Sequence, residues 1–220
     1  MLPIELRLER PADYRAVEEL TRDAFWNHHV PGCDEHYLAH ILRDSPDFVP
    51  ELDYVAVHDG QVVGNIMYTR AKIVLDRGGG REVLCFGPLA VAPAFQGQGV
   101  GGRLVEHTKA LARELGYAAI LILGDPDYYS RFGFVPAERY GIGTSWGVYI
   151  ISLQAFELQP DALADCAGYF EESSSFRMEA EDAVAFDAGF PPKEKLSGLP
   201  SQEKFQWIVS QTKPRRPAGQ

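Results

Sequence analysis

The chain has 220 residues, 45% of them hydrophobic, and a formal charge of −10. That length and apolar share suit one well-packed domain with a short appendage, and the acidic balance argues against a nucleic-acid binder. No apolar run reaches membrane-spanning length and no basic-then-apolar signal pattern opens the chain, so no membrane partner and a cytoplasmic location are expected.

In chain order, Ile4 to Leu8 alternates as a half-buried strand. Pro11-Ala-Asp13 opens a helix on which Val17, Leu20, Thr21, Ala24 and Phe25 share one face. Tyr37, Leu38, Ile41 and Leu42 predict a second, short helix that closes before Pro46. Leu52 to Val57, Val62 to Tyr68 and Ala71 to Leu75 read as antiparallel strands, the first pair turned at Asp59-Gly60. Val83 to Val91 is a fourth strand, interrupted by Gly87-Pro88, which marks either a bulge or an ordinary edge kink. A glycine-dense turn follows. It leads into a helix whose buried face is drawn by Leu104, Val105, Thr108, Leu111, Ala112 and Leu115.

Ala118 to Leu123 is another apolar strand. A short helical turn then ends at Gly133, in the position where glycine takes the left-handed conformation cheaply. Phe134 to Ala137 and Tyr149 to Leu153 are expected to finish the sheet. Acidic residues crowd Glu157 to Asp187, where Arg177 is the one cation; a solvated acidic face is expected, with an amine-attracting funnel as the alternative. After Phe176 the sequence changes character. Ser201 is expected to cap a helix that docks through Phe205, Ile208 and Val209, and the tail from Pro214 is expected to be disordered.

The glycine turn carries most of the functional information. Several N–H groups aimed one way at a helix N-terminus make a site for a diphosphate. A Walker loop fails, because Gly101-Gly102-Arg103 stands where Gly-Lys-Ser or Gly-Lys-Thr is needed. A dinucleotide fingerprint is supplied by Gly97, Gly99 and Gly102, but it lies far into the chain, and Asp125 meets its partner acid only loosely. The third pattern is Gln/Arg-x-x-Gly-x-Gly/Ala, met by Gln96-Gly97-Gln98-Gly99-Val100-Gly101.

With the upstream Leu89-Ala-Val-Ala-Pro, this segment resembles the GNAT superfamily of acetyl-CoA-dependent N-acetyltransferases. A second stretch, Tyr129-Ser-Arg-Phe-Gly133-Phe134, resembles that family's Tyr-x-x-x-Gly-Phe element. The two motifs cover about the middle third of the chain. Residues 155–170 are similar to the late strand and loop of a bacterial subgroup of predicted N-acetyltransferases.

The resemblance implies a mixed α/β (α+β) fold: a mostly antiparallel, splayed sheet with helices on both faces. The catalytic domain would span residues 1–176, and residues 177–220 would form a helical extension. It implies acetyl-CoA as cosubstrate, held by main-chain groups of Leu89, Ala90 and Val91 along the pantetheine. The amides of Gln96, Gly97, Gln98, Gly99, Val100, Gly101 and Gly102 would take the pyrophosphate, with Asp125 counted beside them. It implies Tyr129 as the acid for the departing thiolate, with Tyr128 as the adjacent competitor, and an acceptor loop around Trp26 to His36. A primary amine of unknown identity, free or on a peptide, would be the acceptor, and a homodimer is compatible with the family.

The general base stays open among Glu82, Asp34, Glu35, His36 and a water chain, each side chain being by default a solvated surface group. The aromatics Trp26, Tyr37 and Trp146 would suit a cationic amine but are by default packed. His28, His29, His36, His40 and Cys33 have ligand-type side chains without zinc-site spacing, so no metal is expected. Cys33, Cys85 and Cys166 suit a reducing compartment rather than a disulfide framework, and Cys85 reads as a small apolar side chain. The rival functions are a non-catalytic acyl-CoA-binding or regulatory module, and an enzyme using longer acyl chains or a hydroxyl acceptor.

Overall fold

The computed structural model describes residues 2–215. Its contacts divide the chain into two compact units. The first combines the chain up to Tyr68 with Gly87–Thr108 and Ser174–Glu203; the second combines Thr69–Phe86, Lys109–Ser173 and the chain from Lys204.

In the first unit, β1 (Glu5–Leu8) runs antiparallel to β2 (Tyr54–His58), which pairs antiparallel with the start of β3 (Gln61–Leu75). Asp59 and Gly60 take φ of 47° and 78°, the left-handed pair that a two-residue hairpin needs. The helix α1 (Tyr14–Phe25) buries Val17, Leu20 and Thr21, as its periodicity predicts, and also Glu18 and Arg22. The helix α2 (Glu35–Leu42) packs Leu38, Ala39 and Leu42 on Met67, with Phe176 and Met178 alongside. The helix α3 (Val100–Glu114) buries Val100, Leu104, Val105 and Thr108. A Cβ on Gly64 would sit 3.1 Å from both Val100 and Leu104, so the missing side chain lets α3 lie close on β3. The Tyr68 hydroxyl then donates to Thr108 Oγ1 at 2.9 Å, because Thr108 spends its own hydrogen on the Leu104 carbonyl. Further on, α5 (Ala180–Asp187) is a short helix that the sequence did not announce.

In the second unit, β3 turns into β4 (Gly80–Val91), with the Leu75 N–H donating to the Gly79 carbonyl at 3.1 Å. A parallel register joins β4 to β5 (Ala119–Leu123) at Leu84 and Ile120. On its other side β5 pairs antiparallel with β9 (Leu153–Glu157), and β6 (Val135–Pro136) closes onto β9. Four successive residues of β5, Ala119 to Ile122, are buried, as befits a strand covered on both faces. Also in this unit, β10 (Gly168–Glu171) runs antiparallel to β3 and parallel to β7 (Ile142–Thr144). The described strands are thus mostly antiparallel, with six α-helices, as the resemblance implies.

Six expectations need correction. The segments 62–68 and 71–75 are one strand, because Thr69 and Arg70 carry the ladder through the polar pair that looked like a break. Tyr149 to Leu153 does not finish the sheet. Instead β8 (Val148–Ile150) pairs with β11 (Thr212–Pro214) in a separate ribbon, and β9 starts only at Leu153. Leu115 is exposed, since α3 ends at Glu114 and Gly116 turns left-handed just after it. The last helix, α6 (Pro200–Ser210), starts one residue before Ser201, with proline in its first position. The Leu199 N–H donates to Gln202 Oε1 at 3.3 Å, so Leu199 and Gln202 do the capping. On α6 Ile208 is buried, whereas Val209 is exposed. In the expected disordered tail, Pro214 belongs to β11 and the Arg215 N–H donates to the Gly147 carbonyl at 2.9 Å; the remaining tail residues lie outside the described ones.

Candidate active site

The first unit carries the glycine turn. After β4 ends at Val91, a 3-10 turn over Pro93–Phe95 leads to an exposed loop and then into α3. Two glutamines brace that loop with their side chains: Gln96 Nε2 donates to the Val91 carbonyl at 3.0 Å, and Gln98 Nε2 to the Ala94 carbonyl at 2.8 Å. Gly97 and Gly99 take φ of 73° and 82°, conformations in which successive N–H groups form an anion-binding concavity. The Arg103 N–H donates to the Gly99 carbonyl at 3.0 Å, closing the first helical turn. The N–H groups of Val100, Gly101 and Gly102 therefore open the helix, where no intrahelical acceptor exists. Arg103 itself points elsewhere, its guanidinium donating to the carbonyls of Leu2 and Ile4 at 3.3 and 2.6 Å. What the loop offers an anion is backbone. Leu89, Ala90 and Val91 precede it on β4, and the following Ala92 N–H donates to the Val63 carbonyl at 3.0 Å.

The second unit carries the tyrosine motif. Asp125 caps α4 (Pro126–Tyr129), its Oδ1 accepting the Asp127 N–H at 2.9 Å. Its other oxygen accepts from Lys204 Nζ at 2.6 Å. A 3-10 turn over Ser130–Phe132 ends at Gly133, whose φ of 82° is the expected left-handed stop. The Tyr129 ring lies 5.7 Å from the rings of both Phe86 and Phe134, and 4.9 Å from that of Tyr128. It also rests on Gly124: a Cβ there would stand 2.2 Å from Tyr129 Cε2. Burial pushes the Tyr128 phenol above its ordinary range. The structure thus gathers Leu89 to Gly102 in one unit, and Asp125 and Tyr129 in the other.

The candidate bases fare differently. Leu84, Cys85 and Phe86 at the centre of β4 are buried, and burial holds the Cys85 thiol protonated, as an apolar side chain would be treated. Glu82 and Asp34 are exposed. Glu35 is half-buried, with Oε1 3.0 Å from His29 Nδ1 and Oε2 accepting the Asp34 N–H. His36 is not a surface residue: it is 0% exposed, with Nε2 3.1 Å from Asp187 Oδ1 and Nδ1 3.5 Å from Cys33 Sγ. Burial keeps its imidazole below the ordinary pKa. The signal that could have found this contact was absent, because Asp187 lies far along the chain from His36.

The aromatics are also accounted for. Trp26 carries the Arg22 guanidinium 4.3 Å from its ring centroid, and Tyr37 packs against Phe186 at 5.4 Å. Trp146 is exposed in the second unit. Among the described residues, no group of three or more His, Cys, Asp or Glu is placed to hold a metal ion, and no helix is long and apolar enough to cross a membrane.

Known proteins resemble this chain in sequence and fold. Residues 51–136 match the model of the acetyltransferase (GNAT) domain. The chain is similar to the uncharacterized N-acetyltransferase YhbS of Escherichia coli K12, with 33% identity over 172 residues, covering 78% of this chain and 97% of that one. The crystal structure of Escherichia coli YhbS in complex with CoA aligns with a TM-score of 0.71 at 31% identity, over 81% of this chain and 94% of that one. A GNAT family acetyltransferase from Brucella melitensis, crystallised with acetyl-CoA, aligns with a TM-score of 0.62 at 28% identity, over 80% and 99% of the two chains. With a relative this similar along nearly its whole length, and with both motifs in place, the chain belongs to the GNAT family of N-acetyltransferases.

Proposed function

We propose that the chain moves the acetyl group of acetyl-CoA to a primary amine by direct attack within a ternary complex. The observation that carries this is the exposed glycine turn from Gly97 to Gly102, shaped by two left-handed glycines and placed at the head of α3. The CoA and acetyl-CoA bound by the two structural relatives support the same ligand here.

In this reading the amides of Gly97 to Gly102 take the pyrophosphate, the Gln96 N–H being already spent on the Pro93 carbonyl at 3.4 Å, and main-chain groups of Leu89, Ala90 and Val91 take the pantetheine. One N–H of that strand polarises the thioester carbonyl. A thioester is already activated, so the amine nitrogen attacks the carbonyl carbon and the carbon–sulfur bond breaks without an acyl-enzyme. Tyr129 gives its hydroxyl proton to the departing thiolate. A phenol of pKa ~10 is protonated at neutral pH and can donate to a thiolate whose conjugate acid lies at ~8.5. Asp125 contributes by capping the turn that presents Tyr129. Since the buried centre of β4 holds no carboxylate, the ammonium proton is assigned to water.

Residues 1–176 form the transferase domain in this account, and the residues after 176 an extension that serves it. A cytoplasmic location belongs to the same reading and rests on three unbridged thiols; a homodimer rests on family resemblance. Release of free thiol from acetyl-CoA over a panel of peptides, polyamines, amino acids and aminoglycosides tests the proposal. Amine-dependent release that falls at least tenfold in Tyr129→Phe, with acetyl-CoA affinity kept, is expected. Silence across the panel despite acetyl-CoA binding would favour a non-catalytic acyl-CoA module.

A further inference from the structure

The loop joining α1 to α2 is held from a distant part of the chain. Asn27 takes a left-handed φ of 61°, which asparagine tolerates better than most side-chain-bearing residues, and it is buried. Every polar group it has is used. Its N–H donates to the Gly32 carbonyl at 2.8 Å, and its Oδ1 accepts from the N–H groups of Gly32 at 2.8 Å and Leu196 at 3.1 Å. Its Nδ2 donates to the Glu194 carbonyl at 3.0 Å, and its own carbonyl accepts from Gln202 Nε2 at 3.1 Å. Trp26 Nε1 donates to the same Glu194 carbonyl at 2.8 Å.

A second tie secures the flanks of the loop. Arg22, in the last turn of α1, is 3% exposed and donates through Nε to Asp187 Oδ1 at 2.6 Å. His36, in the first turn of α2, approaches the same oxygen at 3.1 Å. One carboxylate from the end of α5 therefore ties Arg22 of α1 and stands against His36 of α2. Phe186 and Phe190 close over His36, with ring centroids 5.5 and 5.0 Å away. The loop's other bonds are local: the two Asn27–Gly32 bonds, the His28 N–H on the Phe25 carbonyl at 2.8 Å, and the contacts of His29 and the Asp34 N–H with Glu35. The long-range hydrogen bonds to Trp26 and Asn27 all come from the later segment, which therefore adds the distant restraint on the loop's shape.

We propose that the segment Asp187–Gln202 sets the shape of the Trp26–Asp34 loop and thereby decides which amines the enzyme accepts, with Asn27 as the positioning residue. This rests on the transferase reading, in which that loop walls the acceptor side. Preorganised walls act by holding the reacting amine in line rather than by touching the chemistry. The segment falls outside the stretch matched by the family model, which ends at residue 136. Acceptor choice would then be written in a part of the chain that the shared core does not contain.

Asn27→Gly keeps the left-handed backbone accessible and removes three side-chain bonds; Asp187→Asn keeps the shape and removes the charge that faces Arg22 and His36. Both are assayed by thiol release with spermidine, kanamycin, L-lysine and a lysine-containing tetrapeptide, and acetyl-CoA affinity is measured by calorimetry. The expected result is a rise of tenfold or more in KM for the preferred amine, with a changed ranking of the four, while acetyl-CoA Kd stays within twofold. An active wild type whose variants keep both KM and ranking within twofold overturns this inference and leaves the transferase reading standing. Loss of acetyl-CoA binding in both variants also overturns it, since the loop would then not be separable from the fold. No release by the wild type with any amine removes the transferase reading and this inference together.

Discussion

Lys109 Nζ donates to the Phe132 carbonyl at 2.6 Å, with its ammonium 4.0 Å from the centre of the Phe156 ring. That bond fixes the far end of the turn that presents Tyr129, whose near end is capped by Asp125, itself paired with Lys204. The two lysines differ in setting: Lys109 is buried, whereas the Lys204 side chain is 49% exposed.

Lys109→Met is therefore expected to cost about 1.5–3 kcal/mol, the range for a charge-assisted hydrogen bond out of solvent. Lys204→Ala is expected to cost about 0–1 kcal/mol, as solvent screens an exposed pair. Urea denaturation of the two variants checks the order. In the transferase assay Lys109→Met is expected to lower kcat more than it raises KM for acetyl-CoA, because the loosened turn carries Tyr129.

Gly124 and Tyr129 separate packing from chemistry. Tyr129→Phe leaves the ring on Gly124, so the melting temperature is expected to hold while kcat falls at least tenfold. Gly124→Ala places a methyl 2.2 Å from Tyr129 Cε2, so the ring must move. It is expected to lower both the melting temperature and kcat. Thermal denaturation beside steady-state kinetics on the two variants gives the comparison; a stable, fully active Gly124→Ala would contradict the packing argument.

Asp53 makes stability depend on alkaline pH. It is 5% exposed; burial, then the hydrogen bond shared with Glu9, pushes its carboxyl up to about 9. Arg43 is committed to Glu9 at 2.8 Å, and Asn65 Nδ2 donates to Asp53 at 3.1 Å. The unfolded carboxyl titrates near ~4, so between ~4 and about 9 the folded chain holds a proton that the unfolded chain does not. This stabilisation is complete below ~4 and is lost as pH rises through about 9. Asp13 works in the opposite sense: its hydrogen bond from Arg7 lowers its carboxyl, so its contribution is lost as pH falls below ~4. Urea midpoints measured from pH 6 to 10 are expected to fall for the wild type and to flatten in Asp53→Asn.

How much of this was legible in the sequence follows from the range of the interactions. Local signals held: the Asp59-Gly60 hairpin, the left-handed stop at Gly133 and the stripe of α3 up to Ala112 all depend on neighbours within about one turn. Register did not follow from local pattern. Whether 149–153 joins the main sheet depends on β11, some sixty residues later, which claims β8 for a separate ribbon. Charged residues misled most. His36 looks solvated in sequence and is buried because Asp187 arrives from far along the chain; Arg22 and Asp53, which no local pattern singles out, are likewise buried, against Asp187 and against Glu9 with Asn65. The strand, glycine turn and helix start from Leu89 to Gly102 were visible because left-handed turns and helix starts are written in glycine spacing.

The central claim is that bare peptide N–H groups at the head of α3 hold the pyrophosphate of acetyl-CoA. Gly99 sits at φ 82°, and a Cβ there would meet nothing within 4 Å, so Gly99→Val acts on the backbone turn rather than on packing. Isothermal titration of acetyl-CoA into the wild type and this variant, with circular dichroism to verify the fold, decides the matter. A loss of affinity of tenfold or more in a folded variant is predicted; an unchanged Kd would contradict the account.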